Sequence, residues 1–279
     1  MENNFILENQ EENDNMFYIN SGKDIINSIP KIIFIVPYRD REQQLLFFNR
    51  HMKHILEDYK ETDFRIMIIH QTDTRSFNCG AMKNIGFLIV KEKFPNDYKN
   101  ITLVFNDVDT MPFTKGFINY ETTTSIIKHF YGFKHTLGGI VSITGHDFEK
   151  INGFPNFWAW GYEDNMLYDR AVKHNIKIDR RQFYTFADKN ILHFYDGYLK
   201  QVNQKEFERF VSFTSEGIRS IDNLCYTYNY NTNMIDVHSF NTDFEEDMSY
   251  NKTHDLHNGT TPFNHIKSKR GATMSMLRL

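Results

Sequence analysis

Apolar and polar positions along the chain fall into two alternating periods. Lys31–Val36 is an almost unbroken apolar run halted at Pro37, the pattern of a strand buried on both faces. Over Arg41–Leu56 the apolar residues Leu45, Phe48, Met52 and Ile55 recur at three- and four-residue spacing, which predicts an amphipathic helix. Phe64–Ile69 then reads as a strand, Ala81–Val90 as a helix and Ile101–Phe105 as a strand. This β-α-β-α-β order predicts an α/β fold: a Rossmann-like, mostly parallel central sheet flanked by helices, with right-handed crossovers. Beyond Gly138 the periods shorten. Gly138–Thr144, Ile176–Asp179 and Lys189–Phe194 read as strands, and His146–Asn152, Glu163–His174 and Lys205–Phe213 as helices. Leu224–Tyr228 and Met234–His238 read as a hairpin. No Pro/Gly-rich linker divides the chain, so the pattern predicts one domain over 31–240 between a polar extension, 1–30, and a second extension, 241–279.

Composition narrows the function. A net charge of -4 gives no global case for a nucleic-acid partner. The apolar runs are too short to span a bilayer. The first residues lack the basic start and apolar stretch of a secretory signal, so the expectation is a soluble, cytoplasmic protein. The two cysteines, Cys79 and Cys225, cannot build a disulfide framework. Phe and Tyr are abundant, at 26 and 15, which fits either a biased genome or surfaces that stack on sugars or bases. Position decides between these readings: Tyr38, Trp158, Trp160 and Tyr162 stand at strand ends or beside acids.

Open sheets of this kind bind ligands at the carboxyl ends of their strands, and the unusual residues lie there. Phe105-Asn106-Asp107-Val108-Asp109 ends the third strand, where alternate residues can aim two carboxylates at one divalent cation. The same acids also suit a plain polar turn. His193 ends a short strand and could complete a carboxylate–imidazole site suited to Mn²⁺. Pro37-Tyr38-Arg39-Asp40-Arg41 opens a helix, with arginines for an anion or with Asp40 as a simple N-cap. Trp158-Ala159-Trp160-Gly161-Tyr162-Glu163-Asp164 sets aromatic faces next to paired acids, one of which could take a proton from an acceptor hydroxyl; it also reads as a loop pinned by buried aromatics.

Taken in order, these segments resemble the β-1,4-galactosyltransferase family, glycosyltransferase family 7. The marks are Pro37–Arg41, Phe77-Asn78 through Asn84-Ile85-Gly86-Phe87, Phe105–Asp109 with Pro112, Gly138-Gly139, Ile151–Asn156, Trp158–Asp164 and His193. The resemblance implies a GT-A type nucleotide-diphospho-sugar transferase that inverts the anomeric centre, with a UDP-sugar donor, a glycan acceptor and Mn²⁺, or Mg²⁺ in its place. It implies that Pro37, Tyr38, Arg39, Arg41, Phe77, Asp107 and Val108 line the donor site, with Trp160 and Gly161 facing the sugars. Asp109, His193 and Asn190 would be the metal ligands; Tyr162 would join Trp160, Glu163 and Asp164 at the acceptor, with Asp164 the general base and Glu163 beside it.

The chain also departs from that pattern. Cys79 stands where the family often has Arg, and Asn190 where it often has Met. Thr136 replaces a larger side chain, which makes room for an N-acetyl group on the donor, and Tyr162 replaces a glycine. Two other readings therefore stay open: a nucleotidyltransferase, which would release pyrophosphate in place of UDP, and a non-catalytic glycan-binding protein on the same fold.

Overall fold

A computed structural model describes residues 28–258, 262 and 263. Its strands are β1 (Ile32–Tyr38), β2 (Phe64–Gln71), β3 (Thr102–Asn106), β4 (Thr110–Pro112), β5 (Ile126–Gly132), β6 (Ile140–Thr144) and β7 (Lys177–Asp179), then β8 (Tyr184–Thr185), β9 (Ile191–His193), β10 (Leu199–Asn203), β11 (Asp222–Asn229), β12 (Met234–Asn241) and β13 (Asn251–Asp255). The α-helices are α1 (Glu42–Ile55), α2 (Cys79–Lys93), α3 (Gly145–Lys150), α4 (Glu163–Lys173) and α5 (Gln204–Ser212). The main sheet runs β11-β12-β2-β1-β3-β6-β5-β7, with β8 also on β5.

Strand parity explains the layers. In β1, Ile33 and Ile35 pack on one side of the sheet and Ile32, Phe34 and Val36 on the other; β2 divides the same way, Met67 and Ile69 against Phe64, Ile66 and Ile68. The chain steps from β1 to β2 in one direction and from β2 back across to β3 in the other, in parallel throughout. Crossovers of one hand must then leave their helices on opposite faces. The cores agree: α1 adds Leu45, Phe48, Met52 and Ile55 to one, and α2 adds Ala81, Met82, Ile85 and Phe87 to the other.

Several expectations change. Strand β1 continues through Pro37 to Tyr38, because β3 pairs only as far as Ile35 and the missing N–H lies beyond that edge. The N-cap of α1 is Arg41, without a side-chain cap bond, and Asp40 takes a left-handed backbone in solvent, so Asp40 caps nothing. Strand β5 is absent from the periodic reading because Lys128 and His129 interrupt its apolar run. The hairpin β11–β12 forms as expected, and β12 also extends the sheet in parallel with β2. Residues 241–258, set aside as an extension, carry β13, which pairs with β10. All but residues 28–30 of the N-terminal extension, and most of the C-terminal extension beyond residue 258, lie outside the described residues. Among the described residues no helix is long and apolar enough to cross a membrane.

Candidate active site

Asp107 and Asp109 sit on a turn, which corrects the expectation of a strand end. Strand β3 stops at Asn106, Thr110 N donates to Asp107 O at 3.1 Å, and the Asn106 amide clamps the turn by donating to the carbonyls of Asp107 and Thr110, both at 2.8 Å. The turn divides the two carboxylates between different cations. Asp109 receives Arg41 Nη1 at 2.8 Å, while Asp107 lies 3.5 Å from Lys83 Nζ. The other edge of Arg41 reaches Asp196 at 2.5 Å. Burial, then repulsion from Asp107, pushes the Asp109 carboxyl up to about 7.

His193 is brought to the same place by pairing between β4 and β9. It stands opposite Thr110, and Phe194 N donates to Asp109 O at 2.8 Å. Tyr131 OH lies 2.9 Å from His193 Nδ1, which leaves Nε2 as the nitrogen available to a ligand. Burial lowers the imidazole below its ordinary value and so favours the neutral ring. Asn190 does not join them. It lies just outside β9, its side chain donates to Asp188 at 2.9 Å and its carbonyl accepts from Phe113 N at 2.9 Å. Among the described residues no three His, Cys, Asp or Glu side chains gather closely enough to share a metal ion.

Glu163 and Asp164 come from the first turn of α4, and two glycines let them approach the Asp107–Asp109 turn. A Cβ on Gly138 would lie 2.0 Å from Asp164 Oδ2, so only glycine leaves room for this carboxylate. Gly139, at φ +74, uses its carbonyl to accept Asp107 N at 3.1 Å. The β5–β6 loop thereby touches both acid pairs. His129 fixes the loop: Arg180 Nε donates to its Nδ1 at 3.1 Å, so Nε2 carries the proton and donates to the carbonyls of Tyr131 at 2.9 Å and Gly138 at 3.1 Å. Burial lowers the His129 ring to about 4. Gly138→Ala is expected to displace the Asp164 carboxylate from Lys83, with the far-ultraviolet circular dichroism spectrum unchanged; a nuclear magnetic resonance titration of the Asp164 carboxyl beside that spectrum checks it.

Lys83 is the site residue that periodicity missed. It is buried on α2 and donates to Asp164 Oδ1 at 3.2 Å. One turn earlier on that helix, Cys79 hydrogen bonds Glu163. Burial, against the pull of Lys83, pushes Asp164 up to about 8, and burial raises Glu163 as well. The available signal was a lone charge within Ala81-Met82-Lys83-Asn84-Ile85, a helix stretch otherwise too apolar to face water. Asp196, Tyr131 and His129 carried no such signal.

Other expected residues divide between packing and exposure. Pro37, Tyr38 and Val108 are buried, and Phe77 packs against the core. Arg39 is used by the loop after β2, donating to the carbonyls of Asp73, at 2.9 Å, and Arg75. Trp158 is core: its Nε1 donates to Phe244 O at 2.9 Å and its ring stacks on Phe240. Tyr162, expected at the acceptor, is only 5% exposed and packs on Phe207 and Phe210, because its left-handed backbone turns the ring inward. Trp160 stays 37% exposed beside Gly161, where an added Cβ would face open space. The Asn-Gly-Phe-Pro-Asn segment is a structural brace: Asn84 donates to Phe154 O and Asn156 Oδ1, both at 2.8 Å, and Asn78 donates to Asn156 O at 3.0 Å.

These titrations predict the direction in which stability changes with pH. Asp109 and Asp164 have folded values above the ordinary carboxylate value, so their contribution is full at low pH and is lost as pH rises through about 7 to 8. His129 is depressed, so its contribution is present above the ordinary imidazole value and is lost as pH falls towards about 4. The two raised carboxyls outweigh the single His129, so thermal denaturation of the ligand-free protein is expected to show stability falling as pH rises from about 4 to about 8.

Two family models match the chain: "N-terminal region of glycosyl transferase group 7" over residues 21–120, and "N-terminal domain of galactosyltransferase" over residues 122–196. The mouse protein "Beta-1,4-galactosyltransferase 5" is 29% identical over 208 residues, covering 71% of this chain and 52% of that protein. "Xylosylprotein 4-beta-galactosyltransferase" of Caenorhabditis elegans is 32% identical over 162 residues, covering 55% and 54%. The chain thus spans about half the length of the curated relatives it matches. Among solved structures, the catalytic domain of Drosophila beta1,4galactosyltransferase 7 with xylobiose superposes with a TM-score of 0.64 at 20% identity, covering 79% of this chain and 97% of that one. A mutant of the same enzyme, in complex with manganese, UDP-Gal and xylobiose, gives 0.62 at 21% identity over the same shares.

Proposed function

The chain belongs to the β-1,4-galactosyltransferase family, glycosyl transferase group 7, with its GT-A fold, and from that premise we propose that it is an inverting, metal-dependent glycosyltransferase. It moves galactose or N-acetylgalactosamine from a UDP-sugar to a hydroxyl of a glycan acceptor. The observation that carries this reading is the meeting of Asp107 and Asp164 at one buried ammonium, Lys83. A donor-side acid and an acceptor-side acid, from segments far apart in sequence, stand close enough to act on two substrates in one step.

The chemistry follows from the groups present. Asp164 takes the proton of the acceptor hydroxyl, and that oxygen attacks the anomeric carbon. The bond from this carbon to the diphosphate oxygen breaks, and UDP leaves with the electron pair. Trp160 offers an exposed aromatic face to sugar C–H surfaces, and Glu163 accepts acceptor hydroxyls. Arg41 can exchange its carboxylate partners for diphosphate oxygens. Pro37, Tyr38, Phe77 and Val108 shape the donor side through backbone and packing. Thr136 favours an N-acetyl donor only through its small size, since its hydroxyl donates to Phe133 O at 3.2 Å.

The residues fit a divalent metal. Asp109 and His193 offer a carboxylate and an imidazole from segments locked together by β4–β9 pairing, a donor set suited to Mn²⁺, with Mg²⁺ a poorer match for the ring nitrogen. A cation there would also relieve the crowding that raises Asp109. With only two protein ligands, positions remain for phosphate oxygens and water. When bound, the metal supplies positive charge to the departing diphosphate. Manganese with UDP-Gal and xylobiose in the Drosophila neighbour supports this reading by likeness. Tyr131 then orients the His193 ring, so Tyr131→Phe is expected to weaken Mn²⁺ binding by about 10–100-fold in a calorimetric titration.

Thermal denaturation with Mn²⁺ and, in turn, UDP, UDP-Gal, UDP-GalNAc and UDP-Glc tests the proposal. UDP and at least one of UDP-Gal and UDP-GalNAc should raise the midpoint, by about 2.7 kcal/mol of apparent stability at a hundredfold excess over Kd. No shift with any of the four would sink the reading.

A further inference from the structure

Helix α2 is buried on nearly every side, yet Lys83 lies in its middle with a side chain only 2% exposed. A buried ammonium persists where carboxylates compensate its desolvation. Three surround this one. Asp164 accepts its hydrogen bond at 3.2 Å, Asp107 stands 3.5 Å away, and Glu163, adjoining Asp164 on α4, is bound to Cys79. The ring of Phe154 closes the apolar side, 4.7 Å from the ammonium. Asp164 and Asp107 keep side-chain exposures of 26% and 32%, so the ammonium lies behind them, away from solvent and ligands.

Resting on the transferase reading above, we propose that Lys83 is a positioning residue of the transfer reaction, whose buried ammonium fastens the acceptor-side Asp164 to the donor-side Asp107. It does not touch substrate. It fixes the rotamer of Asp164 against Gly138, where a Cβ would collide with the carboxylate, and it holds negative charge at the base position. The groups facing Asp164 are Lys83 from α2, Asp107 from the turn after β3 and Glu163 from α4 itself; without Lys83 the remaining charges are all negative. Burial works against the Lys83 ammonium, but Asp164, Cys79, Asp107 and Glu163 outweigh it and leave the amine well above the ordinary lysine value.

Lys83→Met is the test, read in two ways. In thermal denaturation its penalty relative to the parent should grow from pH 6 to pH 9, as carboxyls ionise without a partner, and this growth should be largely absent when Asp164→Asn is the common background. In kinetics, kcat should fall by ~10²-fold with KM for donor and acceptor within about threefold. A penalty flat with pH, or equal in the Asp164→Asn background, overturns the proposal, as does a kcat within threefold of the parent. Should Lys83→Met fail to fold, Lys83→Gln fills similar space with a neutral donor and faces the same criteria. An inactive parent would overturn the transferase reading instead, and the denaturation cycle, which needs no substrate, would still decide whether Lys83 and Asp164 are coupled.

Discussion

Asp164→Asn is expected to lower transfer by about 10²–10⁴-fold, with UDP binding and folding preserved. The amide keeps the shape of the side chain and its fit against Gly138, but it cannot accept a proton from the acceptor hydroxyl. Burial that holds Asp164 up to about 8 adds a second expectation. A base works only when ionised, so kcat/KM, which reports the free enzyme, should rise with pH through about 8. Stopped assays of UDP release across pH 6 to 9 check both points. A variant that turns over like the parent removes Asp164 from the base position.

Asp109→Ala is expected to reduce transfer by ~10³-fold for a different reason. It removes the carboxylate that stands with His193, and on the proposed reading the diphosphate would then lack its cation. The thermal shift produced by UDP with Mn²⁺ should shrink to the metal-free value. The cost to the ligand-free fold should be small at pH 8, because the crowded Asp109 carboxylate, pushed up to about 7 by burial and by Asp107, is then ionised at a cost to the native state. Arg41 still has Asp196 as a partner. Calorimetry with Mn²⁺ and UDP, alongside denaturation, separates loss of the site from loss of the fold.

Most of the fold was legible because its central strands are buried on both faces, its first helix carries clear three- and four-residue spacing and its second is a long apolar run. Strand β5 was not, since Lys128 and His129 break its apolar run, and β13 was not, since five polar-rich residues gain their strand only by pairing with β10. The site divides in the same way. Asp107, Asp109, His193, Glu163 and Asp164 stand out as residue types in short segments that border strands and helices, and the structure sets Asp107 and Asp109 on a turn. Tyr162 and Trp158 looked equally functional but are packing residues, because aromatic composition does not reveal which way a left-handed turn directs a ring. Asn190 entered the ligand set by resemblance alone, and its side chain donates to Asp188 on the turn before β9. Lys83 could be seen as a buried charge, yet its partners come from two other segments, and only the fold brings them within hydrogen-bonding reach.

The central claim is that one site joins a UDP-sugar to a glycan hydroxyl with inversion. The direct measurement is product analysis by nuclear magnetic resonance and nucleotide chromatography, after incubation with Mn²⁺, UDP-Gal or UDP-GalNAc and a panel of xylosyl, glucosyl and N-acetylglucosaminyl acceptors. The account predicts free UDP in step with a new glycoside whose anomeric proton shows the large coupling of a β linkage from an α-linked donor. Pyrophosphate in place of UDP, an α-linked product, or glycan binding with no turnover of either donor would contradict it.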